Sequence, residues 1–126
     1  MECECMINVD IDGYARDLCD EWRKARKPHK CYECHRTIKS GEKYKYEVNV
    51  YDGEIDKFKT CIDCMSVRDA MFCNFLYGEI WEAVREQVRD GGIPESCLAR
   101  VTKPAREKIC SMIEEYWEYQ EARSNG

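Results

Sequence analysis

The sequence contains no apolar run approaching eighteen residues, which excludes a membrane-spanning helix. It has two histidines, His29 and His35, and none beyond position 35. That scarcity removes a Ser/His/Asp hydrolase. No glycine-rich phosphate loop or paired catalytic carboxylates stand in its place. Internal repeats and low-complexity stretches are also missing. The opening Met1-Glu-Cys-Glu-Cys5 lacks the basic and apolar regions of a signal peptide, so the expected compartment is the cytoplasm. The chain reads as a non-enzyme.

What is abundant is cysteine, at ten in 126 residues. A reducing compartment keeps thiols free for metal, whereas disulfide scaffolds belong to exported chains, the lesser alternative for this sequence. Cys31-x2-Cys34 and Cys61-x2-Cys64 are two close pairs separated by twenty-six residues. Each two-residue spacer lets a tight turn aim both sulfurs at one point, and four thiolates are what a tetrahedral zinc ion needs. A thioredoxin-like dithiol would require a βαβ setting that this sequence does not supply. With four protein ligands no position remains open for water, so the zinc expected here is structural.

Cys3 and Cys5 would point both thiols to one face of an extended strand. With Cys73, near the break at Asn74, and Cys97, in a Gly/Pro-bounded segment, they are candidates for a second zinc site. Cys19 and Cys110 read as packed thiols.

The net charge of −5 is unevenly spread. Arg23, Lys24, Arg26, Lys27, Lys30, Arg36, Lys39, Lys43 and Lys45 are opposed locally only by Glu33 and Glu42, giving +7 over residues 23–45 and −12 elsewhere. Arg23, Lys24, Arg26, Lys27 and Lys30 are the candidate nucleic-acid contacts, with Tyr32, Tyr44, Tyr46 and Tyr51 available for stacking. The acidic faces of the last two helices read as solvated surface.

Periodicity predicts a short strand over residues 6–11 (Ile7, Val9 and Ile11 on one side) and a helix from about Asp12 to Lys24, carried by Tyr14, Leu18 and Trp22. Alternation from Lys43 to Val50 predicts a strand with Tyr44, Tyr46, Val48 and Val50 buried and Lys43, Lys45, Glu47 and Asn49 wet. Asp52-Gly53 is a hairpin turn signal, and the return strand delivers Cys61. Cys61-Ile-Asp-Cys64 then opens an apolar stretch with Met65, Ala70, Met71 and Phe72, the first turns of a helix. Glu79 to Asp90 should be helical with Ile80, Trp81, Val84 and Val88 inward, ending at Gly91-Gly92. A short segment near residues 96–101 leads to a last helix from a Thr102 N-cap to about Glu121, with Ala105, Ile109, Met112, Ile113, Tyr116 and Trp117 apolar.

The expected architecture is therefore α+β and a single domain over residues 1–126. A treble-clef zinc module (knuckle, β-hairpin, helix) occupies about 28–75, and a helical part occupies about 76–122. A nuclease built on such a clef needs a base histidine on the hairpin, and residues 43–60 contain none.

Through Arg23-Lys-Ala-Arg-Lys-Pro-His-Lys-Cys-Tyr-Glu-Cys34, Gly41-Glu-Lys-Tyr44, Tyr51-Asp-Gly-Glu54 and Phe58-Lys-Thr-Cys-Ile-Asp-Cys64, the chain resembles small zinc-ribbon or treble-clef proteins encoded by bacteriophages and prophages. The likeness continues through Met71-Phe-Cys73, Glu95-Ser-Cys97 and Thr102-Lys-Pro-Ala-Arg106. His35 stands where many such knuckles carry glycine, which strains the turn. The resemblance implies a zinc-binding phage accessory protein of the host-cell cytoplasm, with no catalytic residues to carry over. Its expected action is on a host or phage protein, through inhibition of a defence or transcription system. The alternative is a zinc module that binds nucleic acid through the basic 23–45 surface.

Overall fold

Asp52 and Gly53, at φ of 51° and 80°, close a two-residue turn between β4 (Lys43–Tyr51) and β5 (Glu54–Cys61). Only such a turn matches the twist of its strands, and Asp-Gly is among the few pairs that adopt it cheaply. The hairpin stays in register from Tyr51 opposite Glu54 to Tyr44 opposite Cys61, so the turn sets where the second cysteine pair arrives. The computed structural model describes residues 3–9 and 16–125.

The third strand of this sheet is β1 (Arg16–Lys24), antiparallel to β4 in the order β1-β4-β5. This corrects the expected helix over 12–24, whose residues 12–15 lie outside the described ones. A spacing of four, as from Leu18 to Trp22, fits an even strand period as well as a helical turn. The open edge of β4 offers a ladder of unpaired amides and carbonyls, and that decides between the two. A bulge between Asp17 and Cys19 interrupts the pairing. Leu18 and Trp22 are exposed on this edge strand rather than buried.

The alternation of β4 is also only half right. Tyr44 is buried as expected, but so are Glu47 and Asn49 on the face read as wet. Glu47 lies under α1 (Ile62–Met71), where it accepts a hydrogen bond from Arg68 at 3.0 Å and another from the Tyr77 hydroxyl at 2.8 Å. A buried carboxylate is tolerable here because both of its oxygens are paired.

A second, two-stranded sheet is made by β2 (His29–Lys30) and β3 (Thr37–Ile38). Between them the chain turns through Cys31 and Cys34, and the His35 amide returns to the Cys31 carbonyl at 3.0 Å. His35 has φ of 65°, the left-handed region in which a side chain is strained.

The helical part follows as α2 (Ile80–Asp90), α3 (Glu95–Leu98) and α4 (Lys103–Asn125). Ile80, Val84 and Val88 recur at helical spacing and face Ala105, Ile109 and Met112 of α4 in one core with Val67, Ala70 and Met71 of α1. Thr102 caps α4, accepting from the Ala105 amide at 3.4 Å and donating to Asp63 Oδ1 at 2.6 Å. Trp117 departs from the expected apolar face, being 65% exposed. In residues 3–9 the expected strand is reduced to one parallel bridge, Ile7 with Phe72; Asp10 and Ile11 lie outside the described residues.

Candidate metal centre and the basic groove beside it

Three elements aim the four central cysteines at one point. Cys31 and Cys34 sit on the knuckle turn, Cys61 ends β5, and Cys64 lies in the first turn of α1. The Cys61 sulfur also caps that helix, accepting from the Cys64 amide at 3.4 Å. All four sulfurs fall within 4.8 Å of one another, with 3.8 Å between Cys31 and Cys64 and 3.8 Å between Cys34 and Cys61. These residues are positioned to hold one metal ion.

Surrounding groups favour negative charge on the sulfurs. The Cys61 amide donates to Cys31 Sγ at 3.3 Å, and the Trp81 indole N–H donates to Cys64 Sγ at 3.2 Å. Hydrogen bonds from Cys34, Cys61 and Cys64 hold Cys31 far below the ordinary thiol range. The same contacts, those with Cys31 and Cys34 foremost, push Cys61 and Cys64 above it. One thiolate thus opposes the next, and a cation at the centre is what lets all four ionise.

Glu33, within the knuckle, is buried and accepts hydrogen bonds from the Gly78 amide at 2.8 Å and the Ile80 amide at 3.3 Å. It thereby satisfies the start of α2 from a distant segment, which fixes the helical part against the metal centre. Burial pushes its carboxyl pKa up, and the two amides oppose that shift.

The candidate second metal site is not present as such. Cys3 is joined to Cys97 and Cys5 to Cys73 in disulfides, with Cα–Cα distances of 4.9 Å in both. Sulfurs bonded to each other are not thiolates and do not serve as ligands of this kind. The grouping by twos corrects the assignment, and it departs from the expectation that these four thiols stay free for metal. Cys19 and Cys110 are unpaired and half-buried.

Beside the metal centre runs an open groove of about 1210 Å³. Its walls bring together all five candidate contacts, Arg23, Lys24, Arg26, Lys27 and Lys30. Tyr32, Tyr44 and Tyr46 join them as expected, whereas Tyr51 does not. Lys57 and Lys59 complete the lining; they come from β5 and fall outside the basic stretch read from the sequence. Their separation by two along a predicted strand was the available signal, since such residues share a face.

Within the groove Arg23 pairs with Glu21, and two other cations of the 23–45 stretch are engaged elsewhere. Arg36 pairs with Glu42 and Asp63, both at 3.1 Å, and Lys45 pairs with Asp20. No acidic side chain lines the groove. His29 lies within it, its Nδ1 3.2 Å from Lys59 Nζ. Desolvation, then the charges of Lys59 and Lys27, lower the His29 pKa and favour its neutral form.

Among the described residues no helix is long and apolar enough to cross a membrane. Comparison with protein-family models, curated proteins and solved structures gives no match.

Proposed function

We propose that this chain is a zinc-stabilised treble-clef module that binds nucleic acid by its phosphate backbone along the groove formed by β1, the knuckle and β5. The observation that carries the reading is segregation of charge. Seven cations line one groove and, among the described residues, only Arg23 of them is ion-paired, with Glu21 just outside its walls, on a chain whose net charge is −5. A concave cationic surface with low-dielectric walls focuses potential on a polyanion, and released counterions supply the affinity.

Zinc is the ion that suits the cysteine cluster. Two opposite edges of the sulfur cluster measure 3.8 Å and all pairs lie within 4.8 Å; a regular tetrahedron of 3.8 Å edge has its centre about 2.3 Å from each corner, the length of a zinc–thiolate bond. Knuckle, hairpin and helix, in that chain order, supply the ligands as a treble clef does. The four thiolates complete the ion's coordination, so its role is to hold the groove's walls together. Loss of the ion would separate the knuckle, which carries Lys30 and Tyr32, from β5, which carries Lys57 and Lys59.

A second reading keeps the accessory role towards a host or phage protein. Trp117 and Tyr119, 65% and 58% exposed on α4, favour it. The two readings divide on salt. Anisotropy of labelled oligonucleotides should show log affinity falling linearly with log salt between about 50 and about 200 mM. Trp117→Ala should leave that binding intact. Absence of binding to DNA and RNA at the lower salt would reject the groove reading.

A further inference from the structure

The three tyrosines of the groove are not equally available. Tyr44 is 4% exposed and packs against His29 beside the cysteine cluster. Tyr46 has a face covered by the Arg23 guanidinium, 3.7 Å from the ring centre. Tyr32 is 45% exposed and lies at the rim.

Tyr32 is also held in place. It sits between two metal-site cysteines, and its amide donates to the Lys59 carbonyl at 2.8 Å. Its ring meets Phe58 in a T-shaped contact at 4.8 Å, and Phe58 stacks on Tyr77 at 3.8 Å. Phe75 then meets Tyr77 edgewise at 4.9 Å, with Arg68 over Phe75 at 4.1 Å. Gly78 leaves room for the ring, since a Cβ there would come within 3.1 Å of Tyr32 Cε1. A ladder of packed aromatic rings thus runs from the buried Arg68 and ends in a half-open ring among cations. Lys57 and Lys59 flank Phe58 in sequence on the other face of β5, and Tyr32 shares the groove lining with both.

An exposed aromatic held in place loses little entropy when a flat partner settles on it. Phosphate contacts take a duplex or a single strand alike, but only an unpaired strand offers base faces without first being unstacked. We propose that the groove takes single-stranded nucleic acid and that Tyr32 is the platform on which one base stacks. This deepens the groove reading and rests on it.

The test measures anisotropy of zinc-loaded protein with labelled oligo-dT and oligo-U, against a duplex and against heparin, which has charge but no bases. Oligo-dT and oligo-U should both bind more tightly than the duplex. Tyr32→Ala should weaken the single strands ~10-fold, the effect of one stacked base, without changing the salt slope. Tyr32→Phe should restore binding, whereas Lys57→Ala should reduce the slope by about one phosphate contact. A bromouridine oligonucleotide irradiated on the wild-type chain should crosslink at Tyr32, a readout independent of how the variant folds.

Equal binding of duplex and single strand, or a Tyr32→Ala variant that retains metal and binds as wild type, would overturn stacking and leave the groove standing. Crosslinks confined to other residues would do the same. Failure of all four ligands at low salt would overturn the groove itself.

Discussion

Trp81 donates its indole N–H to Cys64 Sγ at 3.2 Å, so the first turn of α2 touches the metal centre directly. The same ring carries Lys108 of α4 at 4.2 Å and packs against both hydrophobic clusters. Loss of the ion is therefore felt in the helical part, and Trp81 reports it. Chelation should change tryptophan emission in step with release of the metal. Trp81→Phe should remove that component and weaken metal binding by about 10- to 100-fold, the usual cost of an outer-shell donor. An emission spectrum unmoved by chelation would contradict the contact.

Replacing a ligand should be more severe. Cys61→Ser removes a thiolate and the cap of α1 together, and Cys34→Ser removes a thiolate alone. Apparent binding free energies of Cys-rich zinc sites are on the order of 10 kcal/mol, and that is folding free energy. Both variants should lose metal by elemental analysis and melt well below the wild type. Unchanged metal content and melting temperature would remove the site.

The disulfides and the metal centre divide the ten cysteines into groups that chemistry can count. Native protein should hold one metal ion per chain, not two. A thiol reagent should react quickly with two cysteines, Cys19 and Cys110, because the other four unbonded thiols are in the cluster. Reduction should release Cys3, Cys5, Cys73 and Cys97 and destabilise the chain by about 4 kcal/mol or more on the chain-entropy account of long loops. Two ions per chain with no disulfide would restore the second metal site.

The buried pair of Arg68 and Glu47 gives a stability prediction. Their side chains are 8% and 5% exposed, so solvent screens them little. Arg68→Met leaves the Glu47 charge with only the Tyr77 hydroxyl and should cost about 3–5 kcal/mol in urea unfolding. Changing both, as Arg68→Met with Glu47→Leu, should cost much less, because neither charge is stranded. Additive losses would show that the pair is not coupled.

Position in space, rather than membership of a basic run, should decide which lysines bind nucleic acid. Lys39 belongs to the 23–45 stretch but not to the groove; Lys57 is outside the stretch and inside the groove. Lys57→Ala should weaken oligonucleotide binding and lower its salt slope, while Lys39→Ala should match the wild type. The reverse order would place the surface elsewhere.

Local chemistry made much of this legible. Four cysteines in two close pairs can converge on one ion whatever surrounds them, and Asp52-Gly53 can do little except turn. The apolar stripe of α2 needed no neighbour to be recognised, nor did the cap at Thr102. What failed were choices in which two local readings cost about the same. Leu18 and Trp22 suit a helix turn or a strand face, and the open edge of β4 settled the matter. Glu47 looked solvated until Arg68 and Tyr77, some twenty and thirty residues on, paired both of its oxygens.

By itself, then, the sequence determined the four-cysteine cluster, the hairpin register and the helical part, because bonding geometry and periodicity act within a few residues. Only the tertiary structure decided that Cys3, Cys5, Cys73 and Cys97 pair as two disulfides. It alone gathered cations from β1, the knuckle and β5 into one groove with Tyr32 at its rim. Those outcomes depend on which distant segments meet, and that is set by burial and charge pairing summed over the whole chain.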